Sequence, residues 1–546
     1  MDQNAANESP PHVPGPTGLA PDCPLALEEI LRLVLQFADQ ASLVAVATVC
    51  HAWSRIALDE RWKSLPSIFP LLMLVAPREW ILDPVDHRQN LMSSLAKADW
   101  GRFRKYSSRV RSVGVGHAVK LDLPVDSAAL VHMFHGQSPL LPNIKTVSWR
   151  FNQSKNCMSI VPFTGPQLEN LFLEIDEGVD HAGQSLLLQS LTDRMPTLKF
   201  LRLMSLGVAH HISTSLASLI SSLPKLTHLE LPPFFHTHEI VAATAQLPSL
   251  TNFSYSDSMD PTKNYHESGM CFEFISGSFT QLEILCFGSL PNRMGEILQS
   301  TDHVGRLRAV LLNCPAYNSP QEIENVFATL ASGARRLTQV HLACCPIPEL
   351  AVSSSKDSLS IKNLRPLFAC NQLRSFRLQA PHFTPLKDED VVEMGKNWPA
   401  MCNLILCPAP LLNKDQGVGF DILPSFAQSF PSLRELRIFF GKEVPEFDGE
   451  LYPPYQFTKL EILGFGRSPI PRHKARDVGF LIASLCQRPP SIQSGSNTNN
   501  TGGSFPVWSA YSEVESNMKL AFRIKNAVAR RLDSAGSAAE LGQGTL

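Results

Sequence analysis

The chain has 546 residues, which is too long for one compact core and indicates several modules or an elongated array. A net charge of −2 provides no general attraction to nucleic acid or to anionic membranes, so we expect neither as a partner. No apolar run reaches the roughly 18 residues that span a bilayer, and the N-terminal residues lack an export signal. These features predict a cytoplasmic or nuclear protein that is not secreted.

Twelve cysteines are scattered along the chain, and no Cys-x-x-Cys spacing occurs. Without an export signal, this distribution predicts reduced thiols that pack as small hydrophobic residues. It indicates neither a disulfide framework nor a metal site, and we expect no cofactor.

The N-terminal residues predict a disordered tail followed by a small helical domain. Residues 1–22 are rich in Pro, Asn and Ser, whereas residues 23–66 predict three short helices. Asp39 or Ser42 is expected to cap the second helix, which we place at Leu43–Cys50. Apolar residues form one stripe on the first helix; these are Ile30, Leu31, Val34, Leu35 and Ala38. Such a small core requires a neighbouring domain or a partner.

A second pattern recurs along most of the chain: a hydrophobic residue, two variable residues, a hydrophobic, one variable residue and a hydrophobic. Its mean spacing is roughly 29 residues, at the long end for leucine-rich repeats. Clear copies are LENLFL at Leu168, LKFLRL at Leu198, LTHLEL at Leu226, LTNFSY at Leu250, LEILCF at Leu282, LRAVLL at Leu307, LTQVHL at Leu337, LRSFRL at Leu373, MCNLIL at Met401, LRELRI at Leu433 and LEILGF at Leu460. Weaker copies are VRSVGV at Val110 and IKTVSW at Ile144.

Each copy predicts a strand with one apolar face, because hydrophobic and variable residues alternate within it. The segments between copies are helical in pattern and commonly end in a hydrophobic residue followed by proline. Proline disfavours helix at the preceding residue, so it ends the helix and begins the turn into the next strand. Ser319, Pro320 and Glu322 have the pattern of a helix start with a capping box.

A single strand–helix unit cannot bury its apolar side alone, but stacked units can. The sequence therefore predicts an α/β fold in which a curved right-handed solenoid of leucine-rich repeats, residues 106–489, follows the helical domain and a helical connector at 67–105. An ordinary α/β domain with leucine-rich strands is the alternative, which the recurring helix-stop proline disfavours. Beyond the repeats we expect a flexible linker at 490–504 and a disordered tail at 534–546. Between these, an amphipathic helix at 505–533 is expected either to cap the solenoid or to dock a partner.

Residues 24–65 resemble an F-box. The family pattern is Leu-Pro-x-Glu-Ile, spaced aliphatic residues, Val-Cys-x-x-Trp and then a second tryptophan. Here Glu29-Ile30, Val49-Cys50, Trp53 and Trp62 match it. With its irregular repeats, the whole chain looks like the large fungal group of F-box proteins with leucine-rich repeats.

The sequence departs from the F-box pattern in two places. Ala26-Leu27 stands where the family has Leu-Pro, and Asp39-Gln40 stands where it has Asp-Pro. Both departures bear on the strength of adaptor binding, whereas the aliphatic and tryptophan positions are retained.

The resemblance implies a non-enzymatic role: the substrate-recognition subunit of an SCF-type ubiquitin ligase. In that family the F-box binds a Skp-family adaptor and, through it, a cullin, while the repeats bind a protein substrate. The chemistry belongs to the partner enzymes, so we expect no catalytic residue here. The alternative is a repeat-based interaction scaffold with a degenerate F-box that acts outside ubiquitylation.

Two sets of candidate binding residues follow. The adaptor-binding candidates are Ile30, Leu31, Val34, Leu35, Leu43, Val46, Val49, Cys50, Trp53 and Trp62. For Trp53, contact with the partner, packing in the core and both together remain open. The variable residue between the last two hydrophobics of each strand should face the concave side and contact substrate; the candidates are Phe172, Arg202, Glu230, His341, Arg377 and Arg437.

Other short patterns contain residue types that occur in metal and nucleotide sites. His236, His238 and Glu239 contain a His-x-His pair, but no third ligand is evident, and such a pair is usually a surface turn. The same holds for the pair His210-His211. Two short glycine pairs, in GVGH and GFGR, lack phosphate-loop spacing and its lysine. None of these predicts a metal, nucleotide or catalytic site.

Overall fold

The structure is a computed structural model that describes residues 28–74, 100–114, 139–151, 153–176, 178–205, 209–232, 235, 237–255, 278–300, 304–314, 319–344, 358–380, 382–408, 417–441, 443–444, 446, 456–494 and 507–542. The chain divides into two compact units, residues 1–198 and 199–546. The predicted N-terminal tail lies outside the described residues, as do residues 495–504 of the predicted linker and the last four residues. The structure corrects two of the predicted bounds: residues 491–494 of the predicted linker form a strand that pairs with the preceding repeat, and residues 534–542 of the predicted disordered tail continue a helix.

The first unit opens with three short helices: α1 (Glu28–Leu35), α2 (Gln40–Val46) and α3 (His51–Lys63). Asp39 caps α2, because its Oδ1 atom accepts a hydrogen bond from the Ser42 backbone N–H at 2.7 Å. The same bond lowers the pKa of the Asp39 carboxyl. The second helix therefore begins earlier than predicted and ends at Val46, and Cys50 precedes α3 instead of closing α2.

Helix α3 continues directly into the first strand of a parallel sheet. Strands β1 (Ser64–Leu65), β2 (Ser112–Val113), β3 (Thr146–Phe151) and β4 (Asn170–Ile175) follow in this unit. They pair in chain order from β1 to β4. The other helices described in this unit are α4 (Phe69–Leu72), α5 (Trp100–Ser107) and α6 (His181–Leu191), with a 3-10 helix at Ser154–Phe163. The repeats thus begin within the segment whose sequence resembles the F-box.

The second unit continues the same alternation. Its strands are β5 (Phe200–Ser205), β6 (His228–Leu231), β7 (Asn252–Tyr255), β8 (Ile284–Gly288), β9 (Ala309–Cys314), β10 (Gln339–Cys344), β11 (Ser375–Gln379), β12 (Asn403–Leu406), β13 (Glu435–Ile438), β14 (Ile462–Gly466) and β15 (Ser491–Ser494). Its helices are α7 (Ala209–Ser221), α8 (His238–Ala245), α9 (Pro291–Ser300), α10 (Pro320–Gly333), α11 (Ile361–Leu364), α12 (Asp388–Asn397), α13 (Leu423–Ser429), α14 (Ala475–Leu485) and α15 (Val507–Gly542). Short 3-10 helices lie at Val304–Arg306, Arg365–Ala369, Phe420–Ile422 and Arg472–Lys474.

Every strand pair in the second unit is parallel, and each strand pairs with the next in the chain. Buried residues alternate along the strands, as in β5, where Leu201 and Leu203 are buried while Arg202 is half-buried. The hydrophobic residue that opens each clear repeat copy is at most 5% exposed. Sequential parallel strands with intervening helices confirm the α/β leucine-rich-repeat solenoid.

The residue before the helix-stop proline is a buried anchor. Met195, Leu223, Leu247, Trp398 and Phe430 are each no more than 4% exposed, and each follows a helix or a turn that ends before it. The predicted role of the proline is therefore confirmed: it ends the helix while its neighbour fills the core. At α10, Pro320 begins the helix as predicted, but the Ser319 side chain makes no cap hydrogen bond, so the predicted capping box is not formed.

The C-terminal helix α15 packs on α14, the helix of the last repeat. Its buried residues are Ala510, Tyr511, Val514, Met518, Ala521 and Phe522. The two helices approach closely at Gly479 because glycine has no side chain. A Cβ atom there would lie only 2.9 Å from the Val514 carbonyl oxygen. The Tyr511 hydroxyl donates to the Ser468 carbonyl at 2.6 Å, and this buried bond ties the start of α15 to the end of β14. The packing places α15 over the final repeat, where a solenoid cap belongs.

Most described cysteines lie in the core, whereas Cys50 is exposed and Cys402 is half-buried. Burial raises the pKa of the Cys370 thiol to about 11 and that of Cys407 to about 12, so both stay protonated at neutral pH. Within the part of the chain that the structure describes, no helix has the length and apolar character needed to cross a membrane.

Candidate functional site

Helix α1 presents an apolar face to solvent. Ile30, Leu33 and Val34 are 37%, 59% and 54% exposed, and Phe37, in the turn after the helix, is 90% exposed. Their spacing of i, i+3, i+4 and i+7 places them on one side of the helix. Large apolar side chains grouped in this way are typical of a protein-binding surface. We call these four residues the α1 face.

The opposite side of α1 belongs to a small core. Leu31, Leu35, Leu43, Ile56 and Ala57 are buried together, and each is at most 4% exposed. The single apolar stripe expected from the sequence is thus divided: Leu31 and Leu35 point inward while Ile30 and Val34 face solvent. Helix α1 has apolar residues on more than one face, but only one face contacts α2 and α3, so the other remains exposed.

The structure distributes the ten adaptor-binding candidates over three environments. Ile30, Val34, Val49 and Cys50 are exposed; Leu31, Leu35 and Leu43 are buried; Val46, Trp53 and Trp62 are half-buried. Only the exposed members present side chains that a partner could contact without rearrangement. The buried members act by holding the three helices together.

Sequence reasoning missed three exposed apolar residues, Leu33, Phe37 and Val44. A signal was present, since Leu33 and Phe37 complete a second helical stripe with Ile30 and Val34. Val44, 57% exposed on α2, has no such pattern around it and could be recognised only from the structure.

Both tryptophans of the helical domain make contacts within the chain. Trp53 packs against the core of the three helices, and its Nε1 atom is buried with no hydrogen-bond partner in the described part of the chain. Trp62 lies 4.6 Å from the ring of Tyr106 on α5, measured between ring centroids. Trp62 therefore connects α3 to the segment that leads into β2.

Polar contacts fix the same junction. The Arg111 backbone N–H donates to the Lys63 carbonyl at 2.8 Å, and the Arg109 guanidinium forms an ion pair with Asp59 on α3. Asp59 also pairs with Arg32 on α1 at 3.1 Å. The three helices are therefore held to the first repeats by main-chain bonds, a ring contact and a shared carboxylate, which limits the motion of the α1 face relative to them.

The strand residues predicted to contact substrate lie opposite the buried positions. Phe172, Arg202, Glu230, His341 and Arg437 are half-buried and Arg377 is exposed, so none belongs to the core between strands and helices. Several are paired across strands or along one strand: Arg202 with Glu230, and Arg437 with Glu435 at 2.5 Å. Arg377 makes no ion pair with any residue that the structure describes.

His341 has an unusual position on this face. It lies between Leu311 on β9 and Arg377 on β11, and its Nε2 atom is buried with no hydrogen-bond partner among the described residues. Burial lowers the pKa of His341 to about 3, and the charge of Arg377 adds to this effect. The imidazole is therefore neutral at physiological pH.

This lowered pKa predicts a pH-dependent stability. Between about pH 6.5 and pH 3 the unfolded chain binds a proton that the folded chain excludes, so the free energy of unfolding falls as the pH falls, by up to about 1.4 kcal/mol per pH unit. His341→Leu should lose less stability than the wild type on acidification, as urea denaturation at neutral pH and at about pH 4.5 would show. His473→Leu, at an exposed position, is the control and should follow the wild type. Equal losses in the wild type and His341→Leu would contradict the assignment.

The other candidate sites form no metal centre in the described residues. His238 and Glu239 begin α8, where a backbone hydrogen bond lowers the pKa of Glu239, while His236 lies outside the described residues. His210 and His211 lie in the first turn of α7.

One segment of the chain matches a known protein family. Residues 28–65 match a family model described as F-box-like. These residues are α1, α2, α3 and β1, so they contain the α1 face. The chain therefore contains an F-box-like domain, which is followed by strand–helix repeats of the leucine-rich type.

No curated protein matches the chain in sequence. Among solved structures it is similar to TLR13 in its complex with ssRNA13, with a TM-score of 0.31 and 14% identity over 67% of this chain. This match spans 40% of the TLR13 chain. It is also similar to the leucine-rich repeat-containing protein LegL7 from Legionella pneumophila, with a TM-score of 0.27 and 12% identity over 59% of this chain and 91% of that one.

Proposed function

We propose that this chain is the substrate-recognition subunit of an SCF-type ubiquitin ligase. In this role the F-box-like domain binds a Skp-family adaptor, the adaptor connects it to a cullin, and the repeats bind the protein to be modified. The observation that carries the proposal is the α1 face: four large apolar side chains exposed on one side of an F-box-like domain.

The physical basis is burial of this face. Apolar side chains that lose contact with water at the centre of an interface supply most of its binding energy. Phe37 is the largest of the four and the most exposed, so it offers the most area to bury. The Arg32–Glu28 and Arg32–Asp59 ion pairs lie at the edge of the helix and leave the face itself uncharged.

The attachment of α3 to the first repeats supports the second half of the proposal. Ubiquitin transfer needs the substrate to be held at a defined distance from the enzyme that carries ubiquitin, because positioning raises the effective concentration of its lysines. The main-chain bonds between Lys63 and Arg111, and between Leu65 and Gly114, give a short connection between the helical domain and the first strands. The chain contributes position, and we assign it no catalytic residue.

A single substitution on the α1 face tests adaptor binding. Val34→Asp should lower the affinity of the full-length chain for a Skp-family adaptor by about thirtyfold or more, because an interface that buries an unpaired carboxylate loses roughly 2 kcal/mol or more. Since Val34 is exposed in the free chain, the thermal midpoint should not change. Affinity is measured by calorimetry with purified adaptor.

Val528→Asp is the matched control, since Val528 on α15 is 51% exposed and Val34 is 54% exposed. This variant should bind the adaptor as the wild type does. Unchanged binding by Val34→Asp would remove the α1 face from the interface.

The second candidate function is a repeat scaffold that acts outside ubiquitylation. The observation that favours it is Ala26-Leu27 in place of the Leu-Pro of F-boxes, a segment outside the described residues. A wild-type chain that fails to bind the adaptor would support this alternative, as would a bound chain whose loss leaves the turnover of every associated protein unchanged.

A further inference from the structure

A polar pocket of about 460 Å³ lies where the chain enters strands β8, β9 and β10. The register of the sheet brings its walls together: Ile284 is opposite Ala309, and Ala309 is opposite Gln339. Residues just before these strands therefore meet at one edge. The lining residues are Gln281, Glu283, Gly305, Arg306, Arg308 and Arg336.

The pocket carries excess positive charge. Three guanidinium groups line it, and Glu283 is the one carboxylate among the lining residues. Glu283 lies 3.5 Å from the Arg308 Nε atom, so it offsets one of the three charges. The structure gives Arg306 and Arg336 no carboxylate partner among its described residues. Like charges gathered around one cavity repel each other, and an anion between them relieves that repulsion.

Two of the arginines are already held in place. The Arg306 Nη1 atom donates to the Thr280 carbonyl oxygen and lies 3.4 Å from the Gln281 side-chain oxygen. The Arg308 backbone N–H donates to the Glu283 carbonyl at 2.8 Å, which fixes the base of that side chain. Groups that are ordered before a ligand arrives lose less conformational entropy when they bind it.

Two other arginines of the repeats have carboxylate partners close by. Arg434 has the corresponding position before β13, and it lies 3.7 Å from Glu461 on the neighbouring repeat. Arg150 pairs with both Glu174 and Asp176. By contrast, Arg306 and Arg336 have no carboxylate partner among the described residues, so their charges are available to an anion in the pocket.

We propose that the pocket binds a phosphate monoester through Arg306, Arg308 and Arg336. A phosphate monoester has three terminal oxygens and a charge close to −2, so it can accept from several guanidinium groups at once, whereas a carboxylate has two oxygens and a single charge. The same group occurs on a phosphorylated serine or threonine of a protein and on a free phosphorylated metabolite. The dianionic form should bind best, so affinity should fall as the pH drops below about 6, the second pKa of the group.

The test uses the full-length chain without adaptor, so its result is independent of the proposed F-box function. Inorganic phosphate and a phosphoserine peptide are titrated in separate arms by calorimetry. Saturable binding in either arm is expected, and each of Arg306→Gln, Arg308→Gln and Arg336→Gln should weaken it at least about tenfold. Tighter binding of the peptide than of inorganic phosphate identifies a protein side chain as the source of the group. Binding of inorganic phosphate alone identifies a free phosphate compound.

Arg434→Gln is the matched control, because it removes an arginine of similar exposure at the same position before a strand, 58% against 61% for Arg308, outside the pocket. This variant should bind both probes as the wild type does. A peptide with glutamate in place of phosphoserine should bind at least about tenfold more weakly. The proposal is overturned if neither probe binds saturably, if Arg306→Gln and Arg336→Gln bind normally, or if the glutamate peptide binds as well as the phosphopeptide.

Discussion

Gly466→Ala is expected to lower the free energy of unfolding of the second unit by at least about 4 kcal/mol. Gly466 ends β14 with a φ angle of +56°, a left-handed conformation that side chains disfavour. A Cβ atom there would lie 1.6 Å from the Pro408 carbonyl oxygen. Because this neighbour is backbone, no rotation of a side chain could relieve the clash.

The close approach has a structural cause. Pro408 follows β12, and its carbonyl accepts a hydrogen bond at 2.9 Å from the N–H of Arg467, which follows β14. The bond therefore joins the ends of two strands that have β13 between them. Moving the backbone to fit a methyl group would break it and disturb three consecutive repeats, since each repeat is stabilised by its neighbours.

Gly295→Ala provides the control for this substitution. Gly295 lies within α9, and a Cβ atom there would have no neighbour within 4 Å among the residues that the structure describes. Alanine should therefore stabilise the helix by about 0.5–1 kcal/mol. Urea denaturation followed by circular dichroism measures both variants. A Gly466→Ala denaturation midpoint equal to that of the wild type would contradict the close contact between Gly466 and the Pro408 carbonyl.

Trp398→Ala should cost about 3–5 kcal/mol, the range for removing a large buried aromatic side chain. Trp398 is fully buried in the position before a helix-stop proline, where other repeats have Leu, Met or Phe. Its ring lies 5.2 Å from that of Phe368 and 5.2 Å from that of Phe376 on β11. Its Nε1 atom also donates to the Leu367 carbonyl at 3.1 Å.

Trp398→Phe separates ring packing from the hydrogen bond. Phenylalanine keeps an aromatic ring between Phe368 and Phe376, and the Leu367 carbonyl still accepts from the Cys370 N–H at 2.9 Å. The loss should therefore be less than half of that for alanine, at about 1–2 kcal/mol. Equal losses for the two variants, measured by urea denaturation, would show that packing of this ring contributes little.

The sequence predicted the repeats well because their signal is local and periodic. The hydrophobic pattern of LTHLEL places Leu229 and Leu231 on one side of a strand, and both are fully buried in β6. A hydrophobic anchor residue followed by proline predicts the end of a helix, and this signal needs only two adjacent residues. Such features depend on backbone geometry within a few residues, so they are visible without the rest of the chain.

The F-box-like domain was predicted less completely. Its three helices and its F-box-like character were predicted, although the second helix begins and ends earlier than predicted. The exposure of its apolar residues was not predicted, since Leu31 and Val34 are both apolar and lie three residues apart on one helix. Leu31 is buried and Val34 exposed because α2 and α3 cover only one side of α1. Whether an apolar residue is core or surface depends on elements distant in the chain.

The sequence by itself therefore determined the class of protein: an F-box-like domain followed by leucine-rich repeats, each repeat defined by its own strand pattern and helix-stop proline. Only the tertiary structure decided which apolar residues face solvent, that Trp62 contacts Tyr106, and that arginines from successive repeats share one pocket. The physical reason is distance along the chain. A strand pattern is set by neighbouring residues, whereas an exposed face or a pocket is formed by residues that only stacking of the repeats brings together.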